Sequence, residues 1–557
     1  MTSRYPRVLL AAVAVGVLVG LVVAGFDWIT AEVLLHQLHE RELWQIALAP
    51  AVGLTLSAAA LRWIGQGATP ATSDEYVRAF HERQPRLPLR HLPGRLVAGM
   101  FTIGFGGAMG LEGPSIYTGA TIGVGVRSRL QSFLTSEDAK LLMTAGAAAG
   151  VAAVFRTPAT GVLFALEAPY RDDVARRALL PSLLAAASSY LVFVSLVGTE
   201  PSLPLTGGVN SAIESLAIES LEINDLFGAV LIGLGAGLGG RSFAWLVRRA
   251  KGLSKRVALP FRLVVAGAVL GLLAMGSAAA FDDHPLTIGP GGSAVEWVLD
   301  QANEVSVGLI ALLFLMRLVA TVATVGGGGT GGYFIPLAVQ GVIMGRFVGE
   351  VIDDSASRLW PVLGLAAFLG AGYRTPIAAV MFVAESTRGE GFVVPALIAA
   401  AVSQLVAGPA SVSEGQATLR LGHLERRFTL PITSTLTTDV LTVPPDATVA
   451  EFVWVHALGR RVSTVPVVDG ETYLGMCSLD RASDIDRDAW EDTQITEIMR
   501  TDLPVARPSW TLRDAVVGME SAVTDVVAVT DSAGNFIGVV YEAEILKLDE
   551  ILDETGG

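Results

Sequence analysis

The sequence predicts a polytopic all-α membrane domain over residues 1–430, in two related halves of about 1–215 and 216–430, followed by a small α/β domain over 431–557. Three observations predict it. Only 17% of the 557 residues are charged and 52% are hydrophobic, whereas soluble proteins carry about 25% charged residues. The charge is also unevenly shared: from Pro431 onward there are 23 acidic and 8 basic residues, net −15, while residues 1–430 hold 30 acidic and 31 basic, net +1. Finally, each part contains an internal repeat of its own.

Taken in order, the first apolar run is Val8 to Gly25, behind Arg4 and Arg7. It is too long for a secretory signal, whose apolar core runs ~7–15 residues, and reads as a retained membrane helix. Further runs approach or exceed the ~20 residues that cross a bilayer. Basic residues mark the cytoplasmic side of such helices. They gather before Val8, between Arg62 and Arg95 (with Arg78, Arg83, Arg86 and Arg90), from Arg171 to Arg177, from Arg248 to Arg262, and at Arg420, Arg426 and Arg427. The stretches Asp27 to Glu42, Thr199 to Asp225 and Asp282 to Val305 are poor in Lys and Arg. Both ends of the membrane part therefore read as cytoplasmic, in a multi-pass protein of the cell membrane, with the acidic tail inside the cell.

The repeat in the membrane part is Phe155-Arg-Thr-Pro158-Ala-Thr-Gly-Val162-Leu-Phe164-Ala-Leu-Glu167, which returns as Tyr373-Arg-Thr-Pro376-Ile-Ala-Ala-Val380-Met-Phe382-Val-Ala-Glu385 at an offset of 218. Upstream of each copy lies a glycine-rich stretch, Gly104 to Pro114 and Gly326 to Pro336, ending in prolines 222 apart. Glycine clusters serve close helix packing in many membrane proteins. Duplicated halves with interrupted helices are instead typical of transporters, whose sites lie where the breaks meet near the midplane. A broken helix exposes free N–H groups and the positive end of its dipole, so it holds an anion without a fixed cation. Proline in the first turn gives up an N–H that the helix does not use.

These motifs resemble the CLC family of chloride channels and proton-coupled chloride transporters: Gly110-Leu-Glu112-Gly113-Pro114 is similar to its G-x-E-G-P motif and Gly332-Tyr333-Phe334-Ile335-Pro336 to its G-x-F-x-P motif. The resemblance covers the whole chain and implies an inverted repeat with broken helices, a homodimer with contacts near Pro158–Glu167 and Pro376–Glu385, and chloride or a similar monovalent anion as the transported species. It implies Glu112 as the gate, a carboxylate that competes with the anion and takes up protons, and the N–H groups of Gly113, Tyr333, Phe334 and Ile335 as anion ligands. Three positions depart from the family pattern. Its helix-start motif falls on Pro70-Ala71-Thr72-Ser73-Asp74, so Ala71 stands where the family has a serine, with Thr72 and Ser73 as nearby substitutes. Its late pore tyrosine falls on Ser413, a shorter hydroxyl that suggests a wider inner gate. Its internal proton-transfer glutamate falls on Ala168, which carries no proton; Glu167 is adjacent but turned by ~100° on a helix.

The tail repeats at an offset of 63: Leu441 to Glu451 aligns with Pro504 to Asp514, and Gly475 with Gly538. Each unit reads as an entry segment, a helix, two strands and a final helix. The pattern resembles paired CBS domains, 431–490 and 491–557. Where nucleotide-binding versions carry Ser or Thr and then Asp, this tail has Ser478 with Arg481 and Tyr541 with Glu544; Asp480 is a possible substitute. An adenosine nucleotide and a purely structural or dimerising role stay open, and the net charge of −15 disfavours an anionic ligand.

The lone Cys477 cannot form an intramolecular disulfide, the seven histidines are scattered, and no metal motif or nucleophile–base pair suggests an enzyme. Nucleic acid is not expected as a partner. The missing relay at Ala168 favours channel-like conduction over a second reading, proton/chloride antiport. A reading of another class is a solute-sensing receptor that signals through the tail.

Overall fold

The computed structural model describes residues 5–82, 84–136, 138–200, 203–205, 223–300, 305–352, 358–387, 390–418, 428–459 and 462–554. Arg4, Arg83, Arg420, Arg426 and Arg427 of the orienting basic residues, and parts of the 199–225 and 282–305 stretches, lie outside these. The chain divides into two compact units, 1–420 and 421–557.

The first unit is helical: α1 Tyr5–Trp28, α2 Leu43–Trp63, α3 Ser73–His81, α4 Leu92–Gly104, α5 Glu112–Arg129, α6 Asp138–Phe155, α7 Pro158–Glu167 and α8 Leu179–Val197, then α9 Ile223–Arg256, α10 Leu259–Ala280, α11 Gly292–Leu299, α12 Val307–Gly327, α13 Phe334–Val351, α14 Leu359–Tyr373, α15 Pro376–Thr387 and α16 Val393–Ala407. Among the described residues, eight helical stretches are long and apolar enough to cross a membrane. The helices α7, α14, α15 and α16 are apolar but shorter.

The two glycine-rich stretches are breaks. α4 stops at Gly104 and α5 starts at Glu112; α12 stops at Gly327 and α13 starts at Phe334. The turn after α12 uses a left-handed conformation at Gly328 (φ 87°), which costs a glycine little. The breaks pair with each other: Gly110 N–H donates to the Gly332 carbonyl (3.0 Å) and Gly332 N–H to the Gly110 carbonyl (2.8 Å). Two further bonds are related by the same 222-residue offset. Thr330 N–H donates to Thr102 Oγ1 (3.0 Å) and Ala108 N–H to Thr324 Oγ1 (3.1 Å). Backbone groups freed from the helices are thus satisfied inside the protein, as a low-dielectric surrounding requires.

Glycine also sets the packing of the helices that follow. α5 crosses α6 with Gly119 against Gly146, and α13 crosses α14 with Gly341 against Gly364; a methyl group on any of the four would overlap the facing carbonyl. Without a hydrophobic force between helices in lipid, such close backbone contact supplies the packing energy.

The second unit holds two small modules. The first pairs β1 Thr464–Asp469 with β2 Thr472–Ser478 in an antiparallel hairpin followed by α17 Leu479–Ser483. The second has β3 Val505–Ala506, α18 Leu512–Ala522, β4 Val526–Thr530, β5 Phe536–Tyr541 and α19 Glu542–Glu554, in sheet order β3-β4-β5. Both hairpins slip register at the same place, after Val467 and after Val529. Thr448 and Thr511, 63 residues apart, each accept the N–H three residues on, Glu451 and Asp514, contacts worth about 1 kcal/mol each.

Candidate functional site

The crossing of the two breaks places Glu112 and Phe334, equivalent positions of the two halves, on one another. Glu112 is fully buried, and its Oε1 accepts the Phe334 N–H at 2.6 Å. The Ile335 N–H also faces the carboxylate. A carboxylate therefore sits at the α13 N-terminus, where the macrodipole and free N–H groups hold an anion. Oε2 has no hydrogen-bond partner among the described residues. The seat is tight: a Cβ at Gly110 or Gly332 would overlap the Glu112 carboxyl.

Thr72 and Ser73, at the start of α3, are buried at the same place. Thr72 Oγ1 donates to the Gly331 carbonyl at 3.2 Å, and a Cβ at Gly113 would meet both atoms. Gly113, Thr72, Ser73, Tyr333, Phe334 and Ile335 thus form one cluster around Glu112, with Pro114 and Pro336 in the first turns of α5 and α13. Three of the four N–H groups expected as anion ligands already face a partner: those of Phe334 and Ile335 the Glu112 carboxylate, and that of Tyr333 the Tyr373 hydroxyl at 3.2 Å.

Tyr373 is the group that sequence reasoning missed. It is 1% exposed, its hydroxyl interacts with the Ser73 side chain as well as with Tyr333 N–H, and its ring meets Phe164 at 5.1 Å. Phe155, Phe164 and Phe382 pack around Phe334 with centroids 4.4, 5.6 and 5.0 Å away. The signal lay in the repeat, where Tyr373 is the counterpart of Phe155 and so the one aromatic of the pair with a polar tip. Ser413, by contrast, has a buried hydroxyl with no partner among the described residues, and its N–H donates to Ser411 Oγ. A phenol, not the Ser413 hydroxyl, meets the α13 N-terminus, so a wider opening does not follow from the serine.

A model of the voltage gated chloride channel family matches residues 53–408, and the CBS domain matches residues 432–483 and 495–550. The chain belongs to the voltage gated chloride channel (CLC) family. CLC relatives include the H(+)/Cl(-) exchange transporter ClcA of Klebsiella pneumoniae (strain 342), 27% identical over 430 residues that cover 72% of this chain and 85% of the relative. The ClcA of Salmonella arizonae is 26% identical over 427 residues, with the same coverage. Among solved CLC structures, a CLC-type fluoride/proton antiporter is 25% identical with a TM-score of 0.62, covering 75% of this chain and 99% of its own. A eukaryotic CLC transporter shares the fold over 97% of this chain and 98% of its own, with a TM-score of 0.60 at 16% identity.

In this CLC chain the carboxyl next to Ala168 caps a helix of the other half. Glu167, at the end of α7, accepts the N–H groups of Ile377 (3.2 Å) and Ala378 (2.7 Å) at the start of α15. Its repeat counterpart does the converse, since Glu385 of α15 accepts Ala159 N–H (2.9 Å), Thr160 N–H (2.7 Å) and Thr160 Oγ1 (2.6 Å) at the start of α7. Ala168 is buried, and its carbonyl accepts Gln416 Nε2 at 2.9 Å.

The CBS unit has a cleft of about 620 Å³ whose lining includes Ser478, Asp480, Arg500, Glu520, Asp525 and Glu542. Arg500, the one cation among its lining residues, is held by both oxygens of Asp502 at 3.0 and 3.1 Å. Tyr541 and Glu544 do not line it. This acidic lining suits an anionic nucleotide poorly.

Proposed function

We propose that the chain is a proton-coupled anion exchanger that moves chloride or a similar monovalent anion, with Glu112 as the group both ions use. The observation that carries this is the Glu112 carboxylate seated on the Phe334 N–H at 2.6 Å with its second oxygen unpartnered among the described residues. A charged carboxylate there occupies an anion position. Protonation removes the charge that the helix terminus holds and frees the seat, so anion entry and proton uptake become alternatives at one place.

Gly113, Tyr333, Phe334 and Ile335 supply the N–H groups and Thr72 and Ser73 the hydroxyls that take over the anion once Glu112 leaves. The absence of a carboxyl at Ala168 argues for channel-like conduction. The relatives weigh the other way, because the ClcA proteins are named exchange transporters and the fluoride/proton structure at 25% identity is described as an antiporter. We place the chain in the cell membrane with both termini cytoplasmic, supported by the distribution of arginines, and as a homodimer, supported by the family resemblance alone. Chloride efflux from proteoliposomes, with external proton concentration recorded in the same vessel, tests the proposal: coupled proton movement supports it, and chloride flux without any overturns it.

A further inference from the structure

An exchanger needs a route that brings protons from the cytoplasm to Glu112. Glu167 is fixed as a helix cap by two N–H groups, and Ala168 cannot titrate. A different set of titratable groups converges on Tyr333, next to the Glu112 seat. Asp74, second residue of α3, places Oδ2 2.5 Å from Lys251 Nζ of α9, and its Oδ1 accepts the Glu414 N–H at 3.0 Å. Lys251 also donates to the Val412 carbonyl at 3.1 Å, lies 3.9 Å from the Glu414 carboxylate, and stacks 4.9 Å from the Tyr333 ring centre. Two carboxylates against one ammonium leave this cluster net negative, which attracts protons and repels anions.

Its two ends are suited to transfer. The Glu414 side chain is 46% exposed, open to water, whereas that of Asp74 is 14% exposed. Ser73 adjoins Asp74 and interacts with the Tyr373 hydroxyl, which accepts from Tyr333 N–H; the next N–H along the same helix terminus, that of Phe334, holds Glu112. The Lys251 ammonium against the Tyr333 ring, the Tyr373 hydroxyl on the Tyr333 N–H and Glu112 on the Phe334 N–H set these two tyrosines beside both the cluster and the gate.

We propose that protons reach Glu112 from the cytoplasm through Glu414 and Asp74 and then the hydroxyls of Ser73 and Tyr373, an inference that rests on the exchange reading above. Hydronium from the cytoplasmic solvent protonates Glu414 and leaves as water, and Glu414 passes the proton to Asp74. Each hydroxyl then accepts a proton on its oxygen while giving up its own, and Glu112 Oε2 receives the last. Glu414 and Asp74 end as carboxylates, both hydroxyls keep one O–H, and Glu112 becomes a neutral acid; water bridges the links that are not in direct contact.

The test is chloride-gradient-driven proton movement into proteoliposomes, with the membrane potential clamped, for the parent, Glu414→Gln, Asp74→Asn and Glu167→Gln. The expected result is loss of the parent's proton-to-chloride ratio in the first two variants and its retention in Glu167→Gln. Because Asp74→Asn also weakens the Lys251 pair, Glu414→Gln, at a half-exposed side chain, decides alone if that variant misfolds. A parent ratio in Glu414→Gln, or its loss in Glu167→Gln, overturns the relay while leaving the exchange reading intact. A parent that moves no protons overturns both.

Discussion

At the scale of single residues, the seat of Glu112 is defined as much by what is missing as by what is present. Glycine at 110 and 332 leaves room for a carboxyl that any Cβ would displace. Gly332→Ala is therefore expected to push Glu112 out of its place and weaken the pH dependence of anion flux, as Glu112→Gln does by supplying an amide that cannot titrate. Flux measured against pH in proteoliposomes checks this; a Gly332→Ala protein with the parent's profile would contradict the assigned seat. In the tail, burial pushes the Cys477 thiol up to about 12. Folding that keeps this thiol neutral contributes stability below its usual value of 9.0, lost as pH rises toward about 12. Cys477 should thus resist thiol reagents in the native protein at mildly alkaline pH and react once denaturant is added; rapid native labelling would mean the hairpin opens. Glu112, Gly113 and Phe334 were legible in the sequence because short motifs carry them. Tyr373 was not, because no motif marks a side chain whose role depends on which helix terminus its hydroxyl meets.

At the scale of elements, the repeat acts through exchange between the halves. The Glu167 carboxylate caps α15 and the Glu385 carboxylate caps α7, and the glycine breaks bond to each other. Carboxylates at helix N-termini satisfy free N–H groups and meet the dipole. Removing one leaves buried N–H groups unpaired, which costs about 1–3 kcal/mol for each group left unsatisfied. Glu385→Ala, which loses three contacts, should destabilise the protein by a few kcal/mol on that scale, and Glu167→Ala by less. Denaturant unfolding in detergent measures both, and equal stability of Glu385→Ala and the parent would refute the cap. The repeat also places Arg156 and Arg374 at left-handed backbone positions, φ 59° and 60°, where a non-glycine residue is strained. Each is anchored: Arg156 reaches the Gly198 carbonyl at 3.2 Å and lies 3.7 Å from Asp27, and Arg374 binds Asp172 at 2.6 Å. The repeat was visible as identities at a fixed offset, but its reciprocal contacts were not, since an offset does not reveal which atoms face each other.

At the scale of the whole molecule, the charge division at about residue 430 reflects two materials, a bilayer-spanning unit and a water-facing one. Among the described residues, those that form the seat at Glu112 lie between 72 and 373, so a protein ending at Arg427 is expected to retain anion flux if it folds; a well-folded truncation without flux would show that the tail takes part in conduction. Fold class was legible because composition, apolar run length and duplication all report on the solvent the chain must satisfy. Coupling was not, because it depends on whether protons find a path between hydroxyls and carboxylates far apart in sequence, such as Asp74, Tyr373 and Glu414. The most direct test of the account is uphill proton movement driven by a chloride gradient with the membrane potential clamped. It predicts sustained pumping at a fixed chloride-to-proton ratio that Glu112→Gln abolishes. Chloride flux that persists with no proton movement in the parent, or pumping that survives Glu112→Gln, would contradict it.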